Sequence, residues 1–183
     1  GIAAVKIEGR LKSAHYVAAA TRMYRAALDA AARGTPFTPA PTQEEELVQS
    51  FSRGLSHGYL DGLNHQQLVH GRFPHKRGQR VGTVVSKTAR SVIVELLPGS
   101  PGSAPLKPGD GVVFDEGHPE RDEQGGRVYT VEPAPSSRWA LTFGAGDVNL
   151  AAISIGSAVW KTDDPAIRRR LESTYARDTV LRR

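Results

Sequence analysis

VGTVVSKTARSVIVELL, residues 81–97, consists of two runs of β-branched and aliphatic residues parted by a short polar turn. Val, Ile and Thr suit a pleated, half-buried surface, and the polar break between the runs is where a chain reverses. The same texture recurs in GVVF (111–114), GRVYTVE (126–132), RWALTF (138–143) and SAVWK (157–161), each bounded by Gly, Pro or Ser. With VGTVVS (81–86) and RSVIVELL (90–97) these make six short strands, and that spacing points to a small antiparallel β-barrel, whose closure removes exposed edges.

On the N-terminal side the pattern changes period. Residues 55–80 are rich in Gly, His and Arg without sustained periodicity and predict a long surface connection. Thr42 and Glu45 suit a capping box, so a second helix is expected from there to about Arg53, stopped by Gly54. Before it, TPFTPAPT (35–42) holds three prolines in eight positions, which fix φ and remove donors, and so forms a stiff connector. A first helix is expected from the N-cap Ser13 through Tyr16, Tyr24, Ala27, Leu28 and Ala31 to Gly34. The alternation Ala4, Val5, Lys6, Ile7, Glu8 predicts a leading strand within Gly1–Arg10. On the C-terminal side Asp163, Asp164 and Pro165 open a last helix that continues through IRRRLESTYARDTVLRR. The class is therefore α+β, divided as 1–62, a connector 63–80, the barrel 81–161 and a C-terminal helix 162–183.

The 183 residues, 39% hydrophobic and 23% charged, suffice for a packed core and exclude a disordered or fibrous chain. No apolar run is long enough to span a membrane and no signal peptide is visible, so a cytoplasmic location is expected. The absence of cysteine removes disulfides, thiolate metal sites and cysteine nucleophiles from this chain. Beginning at Gly1, with Met23 as its only methionine, the sequence reads as an excised piece.

Four constellations bear on chemistry. Lys6, Glu8 and Arg10 share one face of the leading strand; at a strand end they would bind or protonate a ligand, and otherwise they form a surface ion pair. Ser56, His57 and Asp61 lie adjacent in sequence, which says nothing about a triad assembled in space. From Arg53 to Arg90 seven cations (Arg53, Arg72, Lys76, Arg77, Arg80, Lys87, Arg90) face a single acid, Asp61, with Tyr59 and Phe73 nearby. Such a stretch neutralises phosphates or an acidic substrate, or else keeps a loop solvated. His65, His70 and His75 have a spacing that suits neither a helix face nor a zinc pattern, and the acids between Asp115 and Glu123 lack the order of a calcium loop, so no metal site is assigned.

VKIEGRLKSAHYVAAATRMYRAALD (5–29), FSRGLSHGYLDG (51–62), RFPHKRGQRVGTVV (72–85), PLKPGDGVVFDEG (105–117) and DEQGGRVYTV (122–131) together resemble the C-terminal portion of the collagenase-like peptidase family U32. The resemblance implies that 1–62 are the last strand and helices of a truncated TIM-like catalytic barrel, followed by a small barrel like the second domain of translational GTPases. It implies two kinds of parent: a collagen-degrading peptidase, or an RNA hydroxylase using prephenate and an iron–sulfur cluster held by four cysteines. The family's glycine- and cysteine-containing signature is missing here, and Lys6, Glu8 and Arg10 are what is left of the site-bearing barrel. No cofactor is expected on this chain itself; an iron–sulfur cluster or a metal would belong to the parent. The expected role is an accessory, substrate-binding module of a peptidase, inactive alone and holding extended peptide by strand addition. The alternative is an RNA-docking module in which Arg53, Arg72, Lys76, Arg77 and Arg80 meet phosphates. Expected partners are a polymeric peptide or RNA substrate and the parent's catalytic domain, with no membrane; oligomeric state stays open, as does a scaffold role.

Overall fold

Among the described residues, six stretches rich in β-branched and aromatic residues become six strands: β1 (Gln79–Lys87), β2 (Val92–Leu96), β3 (Gly111–Asp115), β4 (Gly125–Ala134), β5 (Arg138–Phe143) and β6 (Ala158–Asp163). The computed structural model describes residues 4–9, 11–50, 62, 78–97, 106–118 and 123–176. Each strand is antiparallel to both of its neighbours, in the order β1-β2-β5-β4-β3-β6, and β6 pairs back onto β1. The strands thus form a closed ring, as their spacing led us to expect, and each is paired on both sides. The pairing is partial along β4, which meets β3 only through Gly125, Gly126 and Arg127 while its later half ladders with β5 alone.

The ring encloses Val84, Val92, Val94, Leu106, Val112, Phe114, Val128, Leu141, Ile153 and Val159, all fully or nearly fully buried. Removing each such side chain from water contributes on the order of 1.5–3 kcal/mol before conformational entropy is counted. Irregularities in the β1 ladders, between Arg80 and Gly82 toward β6 and between Val84 and Ser86 toward β2, bend that strand, as closing a small ring requires.

Among the described residues three helices pack beside the ring: α1 (Ala14–Ala32), α2 (Pro41–Ser50) and α3 (Pro165–Glu172). Ser13 caps α1, its Oγ accepting from Tyr16 N, and Asp164 caps α3, its Oδ1 accepting from Ala166 N and Ile167 N, with Pro165 in the first turn. Both caps agree with the sequence. The start of α2 does not. Pro41 takes the first helical position and Gln43 Oε1 accepts from Ala40 N at 2.9 Å, so the helix begins a residue before Thr42 and the reciprocal cap runs through Gln43 rather than Glu45.

The leading strand is a second difference. Residues 4–9 form no ladder with any described residue, and an alternating sequence without a partner strand cannot satisfy its backbone as a sheet. The helical layer has a thin apolar contact, Ala19, Ile167 and Leu171 with Ala18 and Leu47. Between the helices lies Glu46, 3% exposed, which accepts from Arg22 of α1 through both oxygens and from Arg170 of α3 at 2.5 Å. Two guanidiniums on one buried carboxylate tie three helices at a single point.

Candidate nucleic-acid interface

Lys6 Nζ and Glu8 Oε1 pair at 2.8 Å with side chains 85% and 73% exposed. A pair so fully solvated does what surface ion pairs do and assembles no pocket. Arg10 lies outside the described residues, as do Arg53, Arg72, Lys76 and Arg77 of the proposed cation set, and Ser56, His57, Asp61, His65, His70 and His75. Arg80 is described. It stands exposed near the start of β1 opposite Trp160 of β6, and its Nη2 donates weakly to Thr83 Oγ1 at 3.5 Å.

The two later cations of the basic stretch differ in role. Lys87 Nζ donates to the carbonyls of Leu150, Ala151 and Ile153, at 3.1, 2.8 and 2.5 Å, and so caps the short 3-10 turn Leu150–Ala152. Arg90 sits exposed in the turn between β1 and β2 and makes no ion pair among the described residues. It borders an open cleft of about 600 Å³ walled by the β4–β5 surface and the segment 144–151. Tyr129 of β4 stands in this cleft, 71% exposed.

Glu116, one of the acids between Asp115 and Glu123, and the amide of Gln124 each hold a backbone N–H of the segment 149–154. Glu116 Oε1 accepts from Ser154 N at 2.8 Å, and hydrogen bonds from Ser154 hold its carboxyl below the usual range. Gln124 Oε1 accepts from Asn149 N at 2.9 Å. Among the described residues no three His, Asp or Glu side chains are grouped to hold a metal ion.

The strongest electrostatic feature was not anticipated. Lys161, on the inward face of β6 two residues after Val159, is 3% exposed, and its Nζ lies 3.0 Å from Asp110 Oδ2 and 2.5 Å from Asp164 Oδ2. Asp110 also accepts from Lys107 N at 2.9 Å, and Gln49 of α2 donates to the Lys161 carbonyl at 3.2 Å. The cluster joins the entry to β3, strand β6, the cap of α3 and helix α2, so it sets the helical layer against the ring. Its signal in the sequence was a lysine in register with an inward valine, easily read as the outward member of the alternation.

Burial disfavours charge on all three groups. It prevails at Asp110, whose pKa is pushed up despite the Lys107 N–H and the ammonium. At Asp164 burial is overcome by Lys161 and by the N–H groups of Ile167 and Ala166, and the carboxyl stays below its ordinary value. Lys161 is likewise desolvated, yet its hydrogen bonds and charge attraction to Asp164 and Asp110 raise it above the ordinary 10.5. A folded-state pKa raised this way contributes stability that is fully present below 10.5 and is lost as pH climbs through the folded value. The urea midpoint should therefore fall as pH rises above about 10.5, more steeply for the native chain than for Lys161→Met. Parallel declines in the two proteins would show that the ammonium does not carry this limb. The acid limb is less diagnostic, because the shifts of Asp110 and Asp164 oppose one another there.

The fold contains no helix, among the described residues, long and apolar enough to cross a membrane. Residues 1–70 match the family model described as Peptidase family U32. The chain is 31% identical over 103 residues to tRNA hydroxylation protein P of Haemophilus influenzae, covering 52% of this chain and 21% of that protein. It is 38% identical over 85 residues to tRNA hydroxylation protein P of Escherichia coli K12, covering 45% and 18% respectively. The chain thus spans about a fifth of the length of these curated relatives.

Proposed function

We infer that this chain, whose first 70 residues are peptidase family U32 sequence, serves as an RNA-docking segment of a protein that acts in tRNA hydroxylation. The observation that carries this reading is the shared name of the two relatives, both described as tRNA hydroxylation protein P. The basic stretch supports it: Arg53, Arg72, Lys76, Arg77 and Arg80 supply cations for phosphates in a region with one acid. In this reading the helical layer continues a catalytic barrel, and the ring, like the second domain of translational GTPases, presents the docking face. The peptidase reading keeps the family's name in its favour, and its route by strand addition would use a stretch such as the later half of β4, which pairs with β5 but not with β3.

The test is binding of the 183-residue chain to a folded tRNA transcript and to denatured collagen across a salt series. Each phosphate contact contributes roughly 0.7–0.9 to the slope of log affinity against log salt. Replacing Arg72, Lys76, Arg77 and Arg80 together by alanine should weaken RNA binding about tenfold or more at low salt and flatten that slope by about three. An unchanged slope and affinity would remove these four residues from the interface. Collagen binding without RNA binding would favour the peptidase reading.

A further inference from the structure

We propose that the cleft beside Tyr129 receives a single unpaired nucleotide of RNA, its base stacked on the Tyr129 ring and its phosphate met by Arg90. This rests on the RNA-docking reading and specifies where and how a base is held. The cleft, about 600 Å³, falls within the size range of small-molecule sites. Small residues, among them Gly144, Ala145 and Gly146, make up part of its lining and leave room for a flat ligand beside Thr142, Val148 and Leu150. Phe143, half-buried against Phe114 with ring centroids 5.8 Å apart, backs the floor. Tyr129, 71% exposed on β4, therefore offers its ring to this cleft as a stacking face.

The charge around the cleft selects the ligand. Arg90, without an ion pair among the described residues, offers one guanidinium, which suits one phosphate and also stacks on a base. The other cation of this hairpin, Lys87, is engaged by three carbonyls, and the carboxylate of Asp147 lies against Gly144 in the cleft's own loop. A duplex, with two lines of phosphates, would find among the described residues of this cleft a single cation without an ion pair, and an acid in the adjoining loop. A flipped-out or single-stranded nucleotide finds a stacking face, one phosphate contact and an acceptor for a base amino group or a ribose hydroxyl. Tyr59 and Phe73, the aromatics that accompany the charge in sequence, are outside the described residues; Tyr129 is the most exposed aromatic among the described residues and lines the same cleft as Arg90.

Anisotropy titrations of a labelled tRNA transcript and a labelled single-stranded RNA with the 183-residue chain test this directly. Tyr129→Ala should weaken binding roughly five- to 150-fold, the range for losing one stacked base. Tyr129→Phe, which keeps the ring, should stay within about twofold, and Arg90→Ala should both weaken binding and lower the salt slope by roughly 0.7. Ultraviolet crosslinking should place the RNA on the peptide containing Tyr129. If the native chain binds RNA while Tyr129→Ala binds equally well and the crosslink maps elsewhere, the cleft is not the base site and the docking reading survives. If the native chain binds no RNA, both readings fall together. Loss of collagen binding alone in Tyr129→Ala would make the occupant a peptide and overturn the assignment.

Discussion

Replacing Lys161 with methionine should destabilise the chain by about 3–5 kcal/mol, the cost of leaving buried carboxylates without their counter-ion. Asp110 and Asp164 are 1% and 4% exposed, and the ammonium they share is the group that offsets their desolvation. Methionine fills the space of the lysine stem, so the loss reflects charge rather than a cavity. Urea denaturation followed by circular dichroism reads the effect as a lowered midpoint with an unchanged slope. The variant should also gain stability as pH falls, since protonation then relieves the stranded acids. A triple variant, Lys161→Met with Asp110→Asn and Asp164→Asn, should recover more than half of the loss, because asparagine caps α3 about as well as aspartate and neither amide carries charge. A loss below about 1 kcal/mol for Lys161→Met would mean that water reaches the cluster and that its ionic character does not hold the layers together.

This cluster also marks where sequence reasoning stops. All six strands were legible because their β-branched runs are punctuated by turn residues, and the caps at Ser13 and Asp164 because short polar side chains precede apolar periodicity. The ring order β1-β2-β5-β4-β3-β6 was not legible, since a strand's composition records how much of it is buried and not which strand lies beside it. Lys161 escaped notice because a charge in an alternating run is taken to face water, and only the approach of Asp110 and Asp164 from two other segments makes the inward position tolerable. The leading strand over Gly1–Arg10 was expected from an alternation that residues 4–9 carry but do not use, as pairing needs a second strand. Tyr129 was simply one aromatic in GRVYTVE; its outward face and the open cleft beside it are products of ring closure.

Gly78→Ala should cost about 2–5 kcal/mol, through two effects that a second glycine separates. Gly78 has φ of +72°, and a Cβ there would overlap the carbonyl oxygen of Lys161, 2.9 Å from its carbon and 3.0 Å from Thr162 Cα. The obstacle is the backbone of β6, which cannot rotate aside as a side chain does, so β1 must separate from β6 at the start of their ladder, where Gln79 pairs with Lys161. Gly34 has a similar φ of +67° with nothing within 4 Å of its added Cβ. Gly34→Ala therefore isolates the conformational penalty, about 1–2 kcal/mol, and the excess at Gly78 measures the close approach. The comparison reaches function because Gly78 is where the basic stretch enters the ring: a chain that absorbs Gly78→Ala by shifting β1 carries Arg80 with it, and its RNA salt slope should flatten even where the ring stays folded. Equal losses for the two glycine variants would mean that β6 yields at Lys161, leaving the seat of the basic stretch softer than its geometry implies.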